Sequence, residues 1–252
     1  MRWIDLAGAA NARDVGGTAL RGGGEVPCGR LIRSDNLQGL TTDDIDLLLD
    51  MGLTDVIDLR SRPEVESEGP GPLTGVPGIT FHHHSFFIDH PGDALDPRAL
   101  PWVGLPPSVR VDDFQASTYL SFLADRPDSV VGALRAVAGA DGVALVHCAA
   151  GKDRTGTTAA LALSLVGADR DAIVDEYAAS NERMSAIIDR LLESPTYHAN
   201  LVGRPRDSHH SNPETMDAFL GWIEQRGGAE AVLSGFGWTS DDSVRLRDRL
   251  LG

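Results

Sequence analysis

The sequence predicts one α/β domain with a central, mostly parallel sheet flanked by helices, on three observations. The run Gly142 to His147 is almost wholly apolar, as expected of a central strand covered on both faces. Thr155 to Val166 is apolar nearly all round, so a buried helix follows that strand after a short loop. Strand-like and helix-like segments are interspersed along the chain, with no internal repeat and no low-complexity tract.

The elements follow in order. Residues 11–35 are glycine-rich, with Gly16-Gly17 and Gly22-Gly23-Gly24 bracketing Thr18-Ala19-Leu20. They read as a short hairpin and then an extended piece at Leu31-Ile32-Arg33. Thr41 and Thr42 cap a helix that runs through Met51 and stops at Gly52. Leu53 to Leu59 carries a β pattern ending at Arg60-Ser61-Arg62-Pro63. Residues 68–78 are a Gly/Pro loop, and Ile79 to Ile88 is another strand. Residues 90–112 hold five prolines and few periodic apolar positions, the pattern of a long functional loop. Two helices are expected at about 113–125 and 128–139. Beyond the buried helix comes one long helix over about 170–193, then a polar loop with Gly203, Pro205, His209 and His210. A helix after Asn212-Pro213-Glu214 and one from about Thr239 to Leu250 complete the chain. Residues 170–225 form a helical elaboration on the α/β unit.

Composition narrows the function classes. Of 252 residues 42% are hydrophobic, ordinary for a globular protein with its own core. The balance of 22 basic against 37 acidic residues, a formal charge of −15, argues against a general nucleic-acid binder and against recruitment to anionic membrane by charge alone. It leaves room for a phosphorylated substrate, because charge is screened over roughly 8–10 Å at physiological salt. Cys28 and Cys148 cannot make a disulfide framework, and a reducing compartment is the simpler setting. Met1-Arg2-Trp3-Ile4-Asp5 does not read as a signal peptide, and no apolar run approaches the ~18 residues of a membrane span. A cytoplasmic protein without stable membrane insertion is expected; oligomeric state is not indicated.

The chemistry concentrates in His147-Cys148-Ala149-Ala150-Gly151-Lys152-Asp153-Arg154-Thr155-Gly156, which the pattern places as strand, tight loop and helix. Backbone N–H groups from Ala149 to Arg154 can turn inward as a nest for phosphate oxygens, and the following helix adds its positive dipole end. Gly151 relieves the steric strain of the bend. Arg154 supplies a planar, permanently charged fork for two phosphate oxygens, which lysine lacks. Cys148 opens the loop, where donors and cations favour a thiolate. These parts suit in-line attack on phosphorus, a cysteinyl-phosphate and its release by water, without metal or cofactor. Thr155 is placed to donate to the departing sulfur, and His147 to orient the loop from outside.

The run from His147-Cys148 to Thr155-Gly156 resembles the signature of the protein tyrosine phosphatase superfamily. Its Gly-Lys-Asp-Arg-Thr-Gly wording is similar to the bacterial tyrosine-specific/lipid phosphatases of the mycobacterial PtpB type. Asn11-Ala12-Arg13-Asp14-Val15-Gly16-Gly17, Arg33-Ser34-Asp35 and Ile57-Asp58-Leu59-Arg60-Ser61 agree with it, so the resemblance covers nearly the whole chain. It implies a tyrosine phosphatase-like fold and dephosphorylation of phosphotyrosine. Activity on phosphoserine/threonine and phosphoinositides, and a mobile helical lid over 170–225, are implied too. A rhodanese-like sulfurtransferase or arsenate reductase uses a similar cysteine-led loop, but Thr155-Gly156 after the arginine fits a phosphatase better. A non-catalytic phosphoprotein-binding module is disfavoured because Cys148 and Arg154 are both present.

The leaving oxygen needs a proton, and a placed carboxylic acid contributes roughly 10²–10⁴-fold. Asp112 and Asp113 lie some thirty-odd residues before the cysteine, as the acid does in other branches of the superfamily, but no Trp-Pro-Asp motif accompanies them. The resemblance points instead to Asp153, which is favoured; Asp58, at a strand end, reads as a brace. Lys152 adds a charge that suits further phosphates on an inositol ring as well as it suits an ordinary exposed lysine. Phe81-His82-His83-His84-Ser85 reads as a structural strand rather than a metal site, since only His82 and His84 share a face. Arg13-Asp14, in its glycine-rich surroundings, suits substrate contact less well than a salt bridge that fixes the N-terminal turn. Arg204, Arg206, His209 and His210 read as a solvated basic loop, and Cys28 as inert.

Overall fold

The chain pairs six strands into one sheet: β1 (Arg2–Trp3), β2 (Arg13–Asp14), β3 (Leu31–Ser34), β4 (Leu53–Asp58), β5 (Thr80–His83) and β6 (Val143–His147). The computed structural model describes residues 1–88 and 106–252, so most of the proline-rich loop lies outside the described residues. Strand order is β1-β2-β3-β6-β4-β5, with the β3–β6, β6–β4 and β4–β5 pairs parallel and the β1–β2 and β2–β3 pairs antiparallel. The expected class, a mostly parallel sheet flanked by helices, is what the chain forms. The apolar strand Val143–His147 lies in the interior of the sheet.

Alternation along the strands divides two cores. Leu31, Ile57, Ala144 and Val146 face one, which also holds residues of α3 (Phe114–Asp125), α4 (Pro127–Gly139) and α5 (Asp153–Leu165). Ile32, Val56, Val143 and Leu145 face the other, against Leu48 of α1 (Thr42–Asp50) and the N-terminal segment. This period of two places the four apolar residues of β6 alternately in one core and the other, and all five of its residues are buried. The strands also end together, since Ser34 and Asp58 are both in register with His147. The segments after β3, β4 and β6 therefore leave from one end of the sheet, where α/β proteins build their sites.

Several elements differ from the sequence reading. Arg62–Glu68 forms a helix, α2, that Ser61 opens with a capping box to Glu64. The strand expected over Ile79 to Ile88 stops at His83, because the Ser85 hydroxyl bonds both the carbonyl and the N–H of Phe87 and turns the chain. The helix after β6 begins at Asp153, so Arg154 sits in its first turn. The single long helix over 170–193 is broken into α6 (Arg170–Ala178), a 3-10 turn (Ala179–Arg183) and α7 (Met184–Glu193). The guanidinium of Arg13 reaches this break, donating to the Glu176 carbonyl at 2.9 Å and to the Ser180 hydroxyl at 3.0 Å. It thereby satisfies groups at a helix end that has lost its own partners. The polar loop after α7 contains α8 (Pro195–Leu201) and a 3-10 turn (Arg206–His209). The rest is α9 (Pro213–Glu224), α10 (Gly228–Ser234) and α11 (Ser240–Leu251). No described helix is long and apolar enough to cross a membrane.

Candidate active site

The loop between β6 and α5 is held by its oxygens. The Ala149 carbonyl accepts from the Asn36 N–H at 2.9 Å, and Asn11 Nδ2 donates to the carbonyls of Ala150 at 2.9 Å and Gly151 at 3.2 Å. Arg33 donates to the Gly151 carbonyl at 2.6 Å, and the Gly156 N–H to that of Lys152 at 2.8 Å. In a trans peptide the C=O and the next N–H point opposite ways. Oxygens held from outside thus turn the N–H groups of Ala150, Gly151, Lys152 and Asp153 toward the inner side. The start of α5 adds orphan N–H groups to the same array, and no side chain caps them.

Gly151 is required twice over. Its φ of +66° is a left-handed conformation, and a Cβ there would come within 2.6 Å of the Ser34 carbonyl and the Asp35 N–H. Behind the loop, Arg33 and Arg13 share one carboxylate: Arg33 Nη1 lies 2.6 Å and Arg13 Nε 2.7 Å from Glu176 of α6, all three buried. Burial, with Arg33 close by, lowers the Arg13 guanidinium to about 10, still charged at neutral pH. The salt bridge expected at Arg13-Asp14 forms through Arg13, with Glu176 of α6 as its partner. Asp14 instead accepts from the N–H groups of Gly16 and Gly29, closing the glycine-rich turn.

Cys148 is buried at 2% exposure and lines a cavity of about 560 Å³ with Ala149, Ala150, Lys152, Asp153 and Arg154. Its walls are apolar, from Phe86, Phe87, Phe122, Ile187 and Leu191 among others; Tyr197 also lines it, with Arg204 and His209 contributing basic groups. Arg154 Nη1 and Nη2 lie 2.6 and 3.0 Å from the two oxygens of Glu64, a bidentate pair that sequence reasoning missed. Glu64 also accepts from the Ser61 N–H and hydroxyl at 2.7 and 2.8 Å and from the Tyr197 hydroxyl at 3.0 Å. Burial works against charge at both partners, yet their mutual attraction wins. It holds Glu64 below the usual carboxylate range and Arg154 above the usual guanidinium value. The Ser-x-x-Glu capping pattern at Ser61-Arg62-Pro63-Glu64 was a visible signal for the helix that carries this carboxylate.

The other candidates separate cleanly. Asp153 lines the cavity, and one of its oxygens accepts from the Tyr119 hydroxyl at 2.6 Å and Gln115 Nε2 at 2.9 Å. Asp113 caps α3 through the Ala116 N–H at 2.7 Å and accepts from Thr215 at 3.0 Å, so both its oxygens serve helix packing. Asp112 is exposed, and neither is among the described residues lining the cavity. Asp58 grips Arg60 with both oxygens, at 2.6 to 3.1 Å, and is held below the usual carboxylate range against the pull of burial. Lys152 is buried rather than exposed, its ammonium donating to the His209 carbonyl at 2.9 Å. The Thr157 and Thr158 hydroxyls bond helix carbonyls, whereas the buried Thr155 hydroxyl has no partner among the described residues. His82 pairs with Asp55 and His83 bonds the Arg60 carbonyl, both ring contacts within the sheet region.

A family model described as "Tyrosine phosphatase family" matches residues 4–252. The chain belongs to the tyrosine phosphatase family. A Mycobacterium tuberculosis relative named triple specificity protein phosphatase PtpB is 35% identical over 208 residues, 75% of this chain and 73% of its own. A Cupriavidus necator protein named as a tyrosine-protein phosphatase is 34% identical over 174 residues, 69% of this chain but only 61% of its own length. A Nostoc commune tyrosine-protein phosphatase is 29% identical over 232 residues, 89% of this chain and 75% of its own. Family membership fits the cysteine-to-arginine loop, and the family's reaction class is phosphoric monoester hydrolysis.

Two outcomes follow from the site's packing. Glu64→Ala leaves the buried Arg154 charge without its carboxylate and is expected to destabilise the fold by about 3–5 kcal/mol. Urea unfolding measures this, and a loss under about 1 kcal/mol would contradict the pairing. His147 is fully buried, and desolvation, only partly offset by Asp58, lowers it from 6.5 to about 4. The 3.7 Å approach of its Nε2 to Asp58 is therefore made by a neutral ring at pH 7. Because the unfolded chain binds this proton first, stability is full above pH 6.5 and falls as pH drops toward about 4. His147→Gln should reduce the stability lost between pH 7 and pH 4.5 by roughly 2 kcal/mol. His84 and His209, also lowered by burial, add to the slope that remains.

Proposed function

We propose that this chain is a cysteine-dependent phosphatase that hydrolyses phosphotyrosine through a cysteinyl-phosphate, acting also on phosphoserine/threonine and phosphoinositides. The observation that carries this reading is the loop whose Ala149, Ala150 and Gly151 carbonyls are held by Asn36, Asn11 and Arg33, and which lines one cavity together with Cys148 and Arg154. Cys148 as thiolate attacks phosphorus in line, forming the S–P bond as the P–O bond to the leaving group breaks. The inward N–H groups of Ala150, Gly151, Lys152 and Asp153 hold the equatorial oxygens, with Arg154 forking two of them. Asp153 gives its proton to the leaving oxygen, then takes one from the water that attacks phosphorus and expels the thiolate. The Thr155 hydroxyl, buried and without a partner among the described residues, donates to that sulfur.

Support for Asp153 as the acid is its place on the cavity wall, while both oxygens of Asp113 are engaged in helix packing. The breadth of substrate is supported by the size of the cavity, its apolar walls and its cationic groups Lys152 and Arg204, and by the name of the Mycobacterium relative. Residues 170–225 act as a helical lid on one phosphatase domain. Ile187, Leu191 and Tyr197 of that stretch pack on Ala149 of the loop, and the His209 carbonyl takes the Lys152 ammonium.

Hydrolysis of p-nitrophenyl phosphate in EDTA, followed by a panel of phosphopeptides and phosphoinositides, tests the reading. Turnover should be abolished in Cys148→Ser, and retained turnover in that variant would sink the mechanism. Asp153→Asn should slow aryl phosphates with poor leaving groups far more than good ones, by roughly 10²-fold or more. Asp113→Asn should leave that dependence unchanged.

A further inference from the structure

We propose that Tyr119 is a positioning residue for proton transfer, fixing which oxygen of Asp153 carries the proton, with Tyr177 holding Tyr119 in place. The proposal rests on Asp153 being the general acid. Tyr119 stands in the middle of α3 with no exposed surface, and its hydroxyl lies 2.6 Å from Asp153 Oδ1. The Tyr177 hydroxyl of α6 lies 2.7 Å from that of Tyr119, the two rings meeting edge to face at 6.1 Å. A hydroxyl has one proton. If Tyr119 donates to the carboxylate, Tyr177 must donate to Tyr119, so the chain runs from Tyr177 through Tyr119 to Asp153. Burial raises both phenols above their ordinary value, which keeps them protonated donors across the working pH range.

Gln115, one turn earlier on α3, donates to the same Oδ1 at 2.9 Å. Two donors from one helix therefore occupy Oδ1, while no donor among the described residues reaches Oδ2. A proton held on Oδ2 leaves both bonds to Oδ1 intact, whereas one on Oδ1 displaces a donor. The carboxyl plane is set by α3, and Oδ2 is the oxygen assigned to give the proton. The remaining charged and titratable groups around it are Lys152, 3.5 Å away at the start of α5, Arg154 beside it on α5, and His209 of the 3-10 turn. None of these changes when the Tyr119 hydroxyl is removed.

A donor to the carboxylate favours its ionised form, and Tyr119→Phe removes one. The basic limb of the kcat–pH profile should therefore move up, by about one pH unit. With the acid less well placed, kcat should fall about tenfold more for poor leaving groups than for good ones, with KM little changed. Tyr177→Phe keeps the Tyr119–Asp153 bond and should give a smaller shift of the same sign, which serves if Tyr119→Phe fails to fold. Asp153→Asn is measured in parallel. If the basic limb persists in Asp153→Asn, the general-acid reading fails and this proposal with it. If Asp153→Asn removes the limb while neither tyrosine variant shifts it, the reading stands and the positioning role is overturned.

Discussion

The carbonyl oxygens of the loop after β6 are bonded outward, and most of the site depends on the side chains that hold them. Asn11 and Arg33 supply three of those bonds, and neither could do so from a flexible position. Arg33 is fixed because its other terminal nitrogen is paired with Glu176, and Glu176 is fixed in turn by Arg13. A buried carboxylate between two buried guanidinium groups is stable only as a complete set, since removing one partner strands a charge in the interior. The loop thus inherits its rigidity from ion pairs on the side opposite the cavity.

A second set of charges lies on the cavity side. Glu64 carries five donors: the Ser61 N–H and hydroxyl, both terminal nitrogens of Arg154, and the Tyr197 hydroxyl. One carboxylate therefore caps α2, orients the arginine and anchors α8. The pairing offsets the formal charge of Arg154, so the positive potential at this end of the sheet comes more heavily from oriented backbone N–H groups and the start of α5. Such dipoles are set by the fold and need no reorganisation to face negative charge.

Much of this was legible in the sequence where the determinants are local. An apolar run, a five-residue loop and an apolar helix lie within twenty-five residues, and their spacing alone placed Cys148 and Arg154 at the head of a buried helix. What stayed hidden is distant in the chain. Glu64 is 90 residues from Arg154, and Arg33 is 143 from Glu176, so no window of the sequence contains either pair. The break between α6 and α7 was hidden for the same reason, because no proline or glycine marks it, while Arg13, far upstream, bonds the Glu176 carbonyl and the Ser180 hydroxyl. The helix α2 was different: Ser61 and Glu64 spelled a capping box that the neighbouring Gly/Pro loop obscured.

The distance between these partners also bears on synthesis and folding. The groups that shape the loop come from Asn11, Arg33, Glu64, Tyr119, Glu176 and Tyr197, so the cavity cannot be complete until the chain through α8 is available. Contacts of such long range form late, after the loops between them have closed. Before then the loop that carries Cys148 lacks the side chains that hold it in the folded chain. The shape of the cavity is in this way a property of the finished chain, and no shorter stretch of it carries that shape.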